Sequence, residues 1–377
     1  MAQALSEAEL LRLLDALADG EWHSGERLAG RAHISRAALA KRMDKLRDWQ
    51  LDIEAQQGLG YRLSAPLERL DERKLSRFAP LPPGDRDPLS VARGEGLRVS
   101  VVAVTDSTNT QLLNADAADD PQALFAEFQT AGRGRRGRQW ISPFAANLYF
   151  SLAWSFAQWP PQLTALPLAV GLTCARALRG LGVREAGIKW PNDLYVDGKK
   201  LGGILIEHRG EAGGSCRAVI GIGINVGMSA PQAAAVGQPW TCVNAHLPEP
   251  VLSERRPAAA DLSPSPASAG EGGTTGGAGG GVRGRPPRCG GLSRNRLASV
   301  LLKDLHAALR RFQSEGFAPF AAQWREYDLT RDQPVRVLAE PPLQGIARGV
   351  DSSGALLLEH NGRRQLIHSG EVSLRLA

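Results

Sequence analysis

Leucines set the first pattern in the chain. Leu10, Leu11, Leu13, Leu14 and Leu17 recur near helical spacing and the run stops at Gly20, which predicts an amphipathic helix with one buried stripe. Ser24 stands as an N-cap before a short helix over Gly25–Arg31, with Leu28 facing inward. Ser35 then caps a second helix running to Trp49, whose buried stripe is Ala38, Leu39, Met43 and Leu46. Two strand-like segments, Leu51–Ala55 and Gly60–Leu63, flank Gln56-Gln57-Gly58-Leu59. Taken in order, these elements predict a winged helix-turn-helix over residues 1–65. The outer face of the second capped helix carries Arg36, Lys41, Arg42, Lys45 and Arg47, which makes Ser35, Arg36, Lys41, Arg42 and Lys45 the candidate DNA contacts. A helical protein–protein module with a solvated basic face is the alternative reading of the same pattern.

Pro66 and the Pro/Gly-rich run from Pro80 to Gly96 mark a linker over residues 66–96. From Leu97 the pattern changes to alternating strands and helices. Val99–Val104, Leu148–Trp154 and Ala218–Val226 read as strands and Leu163–Leu181 as a helix, giving a mixed α/β body over residues 97–329. Ser253–Gly291 breaks that body: it is rich in Gly, Pro, Ala and Ser, and Leu262 and Val282 are its only large aliphatic residues. Such a segment buries too little apolar surface to offset its ordering entropy, so a disordered insertion is expected. Periodicity resumes with Leu297, Leu301, Leu302, Leu305 and Leu309 on one helix. Residues 330–377 then break into five short strand-like runs, Val335–Val337, Gly345–Val350, Ala355–Glu359, Gln365–His368 and Val372–Leu376, which fit a compact SH3-like β-barrel.

Composition narrows the picture modestly. The 377 residues are 43% hydrophobic, enough for two or three packed domains. A formal net charge of +6 permits an anionic partner such as a nucleotide or DNA. Cys174, Cys216, Cys242 and Cys289 are far apart and form no C-x-x-C, so neither a zinc site nor a disulfide framework is expected. The start of the chain lacks the pattern of a signal peptide. The longest apolar stretch, about Leu163 to Leu178, contains Pro167 and Gly171 and is too short to span a bilayer. The expectation is a soluble cytoplasmic protein with no membrane partner.

The candidate chemistry lies in the central body. Asp106-Ser107-Thr108-Asn109 is followed by Gln129, then by Gly132-Arg133-Gly134-Arg135-Arg136-Gly137-Arg138. Lys189-Trp190-Pro191-Asn192-Asp193, Lys199-Lys200-Leu201-Gly202-Gly203-Ile204 and Gly221-Ile222-Gly223-Ile224-Asn225 come next. Glycines bring backbone amides close to a ligand, and arginines hold phosphate oxygens through forked, charge-assisted hydrogen bonds. The arginine loop has no G-K-[ST] ending, so it is not a Walker loop. Gly221-x-Gly223 lacks the third glycine of a dinucleotide fingerprint. An isolated arginine–glycine run also reads as a disordered RNA-binding tract, but apolar structure lies on both sides of this one, in Ala123–Phe128 and Trp140–Trp154.

Together and in this order the segments resemble biotin–protein ligases, in particular the bifunctional type that doubles as the biotin operon repressor. The resemblance rests on G-R-G-R-R-G-R, K-W-P-N-D, K-L-x-G-I-L-x-E and G-x-G-I-N, and on the head His23-Ser24-Gly25-Glu26 with the wing Gly58-Leu59-Gly60-Tyr61. It implies a multidomain α+β protein: a winged helix-turn-helix, a central ligase domain of class II synthetase-like fold, and an SH3-like barrel. Biotin and ATP are the implied substrates, with Mg2+. Ser107, Thr108, Asn109, Gln129, Gly132, Gly203 and Gly221 would line the biotin pocket. Arg133 and Arg135 would sit on the loop that closes over it, and Lys200 would meet the biotin carboxylate and then the α-phosphate. Arg136, Arg138, Lys189, Asn192 and Asp193 would serve the ATP side, with Lys189 and Asp193 also on the catalytic side. Asn225 and Trp240 would flank the adenine, with Trp240 as plain core the alternative, and no metal ligand is assigned. The implied partners are biotin carboxyl carrier protein of acetyl-CoA carboxylase, operator DNA and, with biotinyl-adenylate bound, a second copy of the chain. A lipoate–protein ligase, a monofunctional ligase with a vestigial head, and a ligand-sensing transcription factor without catalysis are the rivals. Removal of the head is expected to spare most adenylation.

Overall fold

The computed structural model describes residues 6–78, 96–117, 121–211, 213–248, 291–339, 342–369 and 374–376. Most of the expected insertion, the Pro/Gly-rich part of the linker and Cys289 lie outside them. The head comprises α1 (Glu7–Leu17), α2 (Gly25–Arg31), α3 (Arg36–Asp48) and the antiparallel pair β1 (Ile53–Gln56) and β2 (Gly60–Leu63). Ser6, Ser24 and Ser35 cap the three helices through their hydroxyl oxygens. Leu10, Leu14, Leu17, Leu39, Met43 and Leu46 close the head's core.

That core does not stop at the head. Ala103, Phe128 and Phe144 from the central body join it; Trp49 stacks on Phe144 with centroids 5.0 Å apart, and the Phe144 amide donates to Trp49 O at 3.1 Å. The head is thus packed on the ligase body, and deleting it would uncover aromatic surface. The linker also carries structure: α4 (Glu72–Phe78) packs on the central body, with Leu70 and Leu75 buried in its core.

The central body is one seven-stranded mixed sheet. Its strands are β3 (Arg98–Thr105), β4 (Gln122–Gln129), β5 (Leu148–Phe156), β6 (Gly187–Lys189), β7 (Asp193–Val196), β8 (Lys199–Gly210) and β9 (Cys216–Ile224), in the order β3-β4-β5-β9-β8-β7-β6. Only β3 and β4 run parallel. One face is covered by α6 (Leu166–Gly180) and α7 (Arg294–Glu315), with α8 (Ala318–Tyr327) beside them; the other carries the short α5 (Thr108–Asn114). The period of two along β9 assigns the faces. Ala218, Ile220, Ile222 and Ile224 enter the apolar core, while Gly221 and Gly223 face the α5 side and leave room there.

Residues 330–377 contribute β10 (Pro334–Val337), β11 (Leu343–Val350), β12 (Leu356–His360), β13 (Arg363–Ile367) and β14 (Leu374–Leu376). They form a five-stranded antiparallel sheet in the order β13-β12-β11-β10-β14. Among the described residues β13 and β14 remain edges, so the closed barrel expected from the sequence is not found. No helix among the described residues is long and apolar enough to cross a membrane.

Candidate functional site

Two cavities meet on the α5 side of the sheet. The smaller, about 120 Å³, is lined by Ser107, Thr108, Asn109, Gln129, Arg133, Arg135, Arg136, Arg138, Asn192, Asp193, Lys200, Gly203 and Gly221. The larger, about 780 Å³, is lined by Lys189, Tyr195, Asn225, Trp240 and Arg375 among others. Arg138, Trp140, Asn192, Asp193 and Lys200 border both. Segments scattered over more than a hundred residues of sequence are therefore neighbours in space.

The floor of the smaller cavity is a polar cluster held from behind. Ser107, Thr108 and Asn109 open α5 and are almost fully buried. The Thr108 amide donates to Gln129 Oε1 at 3.0 Å, and Gln129 Nε2 donates to Ser142 Oγ at 3.1 Å. Ser151, a buried hydroxyl on β5, has its Oγ 2.7 Å from Thr108 Oγ1 and 2.6 Å from Asn109 Oδ1. The Asn109 amide nitrogen faces Leu205 O and Glu207, so Oδ1 can only accept. Ser151 therefore gives its one proton to Asn109 and takes one from Thr108. Gly203 and Gly223 are cross-strand partners, and the Trp140 indole lies over them; a Cβ at Gly223 would sit 2.5 Å from that ring.

Lys200 stands at the junction. Lys200 and Gly203 are three residues apart, which in regular β8 would put them on opposite faces. An irregularity in the β7–β8 register between Leu194 and Tyr195 turns both toward the cavity. Lys200 Nζ is 2.8 Å from Asp193 Oδ1 and 5.6 Å from the Trp140 ring centroid. Its backbone is clasped on both sides: Lys200 N donates to Pro239 O at 3.1 Å and Thr241 N donates to Lys200 O at 2.9 Å. This clasp places Trp240, half-buried, on the wall of the larger cavity. Asn225 is buried and donates to Thr241 O at 3.1 Å, bracing the same segment.

Cations dominate the remaining walls. Lys189 sits 4.9 Å from the Tyr195 ring centroid, and burial pushes its ammonium below the ordinary lysine range against the pull of Asp193. Burial also lowers Arg135, which donates to Asn192 Oδ1 and to Ser369 O of the C-terminal unit, both at 3.0 Å. Arg136 takes a left-handed turn at φ 58°, followed by Gly137 at φ 68°, which lets the loop double back on itself. Arg133 reaches Glu207 at 2.7 Å. Gly132 admits no Cβ, since Trp140 O would lie 2.5 Å away. Trp140, Ser142, Ser151, Glu207 and Arg375 belong to this neighbourhood and were not singled out from sequence. A serine at a buried position of a mostly apolar strand was the available signal for Ser151, and the final Glu of K-L-x-G-I-L-x-E for Glu207.

The proposed DNA contacts lie apart, on the head. Ser35, Arg36, Lys41 and Lys45 are exposed along α3. Arg42 instead folds back, donating to Ala38 O at 3.3 Å and to Glu9 at 3.4 Å. Lys45 pairs with Asp48 and Arg47 with Asp44, so acids temper the basic face.

Family models agree with this layout. The HTH domain matches residues 9–62, the biotin/lipoate A/B protein ligase family residues 101–225, and the biotin protein ligase C-terminal domain residues 331–375. The bifunctional ligase/repressor BirA of Escherichia coli (strain K12) is 36% identical over 97% of each chain. The biotin–[acetyl-CoA-carboxylase] ligase of Mycobacterium tuberculosis is 33% identical over 80% of this chain and 95% of its own. Among solved structures, a biotin protein ligase from Aquifex aeolicus in complex with biotin and ATP superposes with a TM-score of 0.54 at 25% identity, covering 74% of this chain and 99% of that one. With a helix-turn-helix ahead of the ligase domain and such identity along nearly the whole of both chains, this protein belongs to the biotin protein ligases, among the bifunctional ligase/repressors.

Proposed function

We propose that the smaller cavity takes biotin, the larger takes ATP, and the shared wall at Lys200 is where they react. The observation that carries this reading is the meeting of the two cavities at Lys200, a largely shielded cation paired with Asp193, beneath an arginine-rich loop. A carboxylate is a poor acylating agent. A biotin carboxylate oxygen therefore attacks the α-phosphorus of ATP; that P–O bond forms as the bond to pyrophosphate breaks, giving biotinyl-5′-adenylate. The neutral amine of a carrier-protein lysine then attacks the acyl carbon, an amide forms, AMP departs and the amine proton passes to solvent. Lys200 offsets charge on the carboxylate and α-phosphate, and Arg133, Arg135, Arg136 and Arg138 hold the phosphate side and keep water from the anhydride. Lys189 and Asn192 border the triphosphate, Asn225 braces the adenine wall and Trp240 offers it a stacking face. Gln129 and α5 receive the ureido ring.

Among the described residues no three His, Cys, Asp or Glu side chains cluster as a metal cage. Asp193 is the carboxylate at the junction, and this donor set suits Mg2+ held chiefly by triphosphate oxygens and water. The ion would supply charge neutralisation of the departing pyrophosphate. We read residues 1–65 as the DNA-binding head, 97–329 as the ligase body and 330–377 as a C-terminal unit of SH3-like type, with 66–96 connecting the first two. One α3 and one wing suit a half-site, so operator binding calls for a twofold dimer, promoted by the bound adenylate.

The primary test is incubation of the chain with biotin, ATP, Mg2+ and a carrier domain. The expected result is one added biotin by mass, dependent on ATP; its absence rejects the ligase. Affinity for biotin-operon control DNA is expected to rise when biotin and ATP are both present, measured at fixed salt. Equal affinity with and without them would leave the head without a regulatory role. The floor provides a third check. A Cβ at Gly221 falls onto the Asn109 side-chain amide, so Gly221→Ala is expected to raise the biotin KM about tenfold, as local overpacking of 1–3 kcal/mol implies. An unchanged KM would move biotin away from this floor.

A further inference from the structure

One carboxylate joins the floor of the smaller cavity to the loop above it. Glu207 lies on β8 two residues beyond Leu205, on the face that looks toward α5. A single oxygen, Oε2, accepts from Asn109 Nδ2 at 2.8 Å and from Arg133 Nη2 at 2.7 Å. Asn109 is only 3% exposed and is oriented from three directions: its nitrogen also donates to Leu205 O at 3.3 Å, and its oxygen accepts from Ser151. Arg133, in contrast, keeps 40% of its side chain in solvent and sits between two glycines. A rigid floor and an exposed loop thus share one atom.

The chemistry of that atom is informative. A neutral amide oxygen would satisfy Asn109 equally well, whereas only an anion gives Arg133 an ion pair, with both partners of the hydrogen bond charged. Ion pairs this exposed contribute little to global stability. What the charge fixes is where the loop rests. A ligand that engages Asn109 steadies the amide that orients Glu207, and through it the arginine that leads into the loop. Differential contact of this kind is what lets a bound ligand favour one loop position over another.

We propose that Glu207 is a positioning residue that couples a filled biotin cavity to closure of the glycine–arginine loop and so retains biotinyl-adenylate until the carrier lysine arrives. The inference rests on the biotin-ligase reading above. The test uses the full chain, charged with biotin and ATP, and follows first-order loss of biotinyl-adenylate after dilution, together with kcat and biotin KM for pyrophosphate release. Glu207→Gln preserves shape and an acceptor for Asn109 but removes the charge. It is expected to release adenylate about fivefold faster, the upper range for one exposed ion pair, and to raise biotin KM more than it lowers kcat. Arg133→Ala, on the exposed loop, is expected to give comparable leakage, and the double variant Arg133→Ala/Glu207→Gln no more than Arg133→Ala alone. A release rate unchanged by Glu207→Gln, or single effects that multiply in the double variant, would overturn the coupling while leaving the ligase assignment intact. A wild-type chain that forms no biotinyl-adenylate would overturn both.

Discussion

Lys200→Ala is expected to slow biotinyl-adenylate formation roughly 10²–10³-fold, the usual effect of removing one well-placed electrostatic donor from a shielded site. Lys200 is held for such a role. Its side chain is 13% exposed, its backbone is gripped between Pro239 and Thr241, and its ammonium rests against Asp193 where the two cavities join. The developing negative charge of the adenylation transition state falls at that junction, so the loss should appear mainly in kcat of pyrophosphate release. A variant that merely bound biotin less well would show it in KM. Lys200→Arg separates charge from placement: a guanidinium keeps the charge but is broad and planar, and is expected to restore only part of the rate. Near-normal kcat in a folded Lys200→Ala protein would remove Lys200 from the mechanism.

The sequence showed the head almost element by element, because each helix opens on its own serine cap and carries its own leucine stripe. It showed the motifs of the ligase body but little of the sheet that unites them. β6 has three residues and β7 four, too short for a period of two to register. In β8 the pair Gly202-Gly203 interrupts the apolar alternation and reads as a turn. The glycines of β9 mark the opposite case: alternating with isoleucines, they record one core face and one ligand face in a single strand. Register is the part that local pattern cannot supply. That Gly203 faces Gly223, or that an irregularity brings Lys200 onto the cavity side, depends on pairing between distant segments. Trp140 was passed over for a related reason. An indole after an arginine loop looks like core until the two glycines beneath it are known to be adjacent.

The same limitation hid the anchor of the head. Arg294→Ala is expected to destabilise the protein by about 3–5 kcal/mol, the range for removing one partner of a buried ion pair. Arg294 and Glu127 are 4% and 2% exposed, with Nη2 2.7 Å from Oε2. Arg294 also donates through Nη1 to Asn147 O at 3.0 Å, through Nη2 to Glu68 O, and through its amide to Glu68 Oε2 at 2.9 Å. Glu127 accepts the Leu70 amide as well. The pair therefore ties the segment leaving the head to the start of α7 and to β4, the strand that carries Gln129. Alanine leaves the Glu127 carboxylate buried without its cation, which costs far more than the contact itself contributes. A thermal midpoint lowered by about 5 °C follows for a chain of this size. Arg294→Met/Glu127→Gln tests the cause. Glutamine keeps an oxygen for the Leu70 amide while removing the stranded charge, so the double variant should melt closer to wild type than Arg294→Met alone. If the double variant melts no higher than that single one, the buried charge is not what the arginine answers, and packing around α7 sets the loss. The segment at Glu68–Leu70 loses only the guanidinium bond to Glu68 O. It keeps the Arg294 amide and Ser293 on the Glu68 carboxylate and Asn295 on Arg69 O, so trypsin should reach Arg69 in Arg294→Ala only as the ligase body itself unfolds.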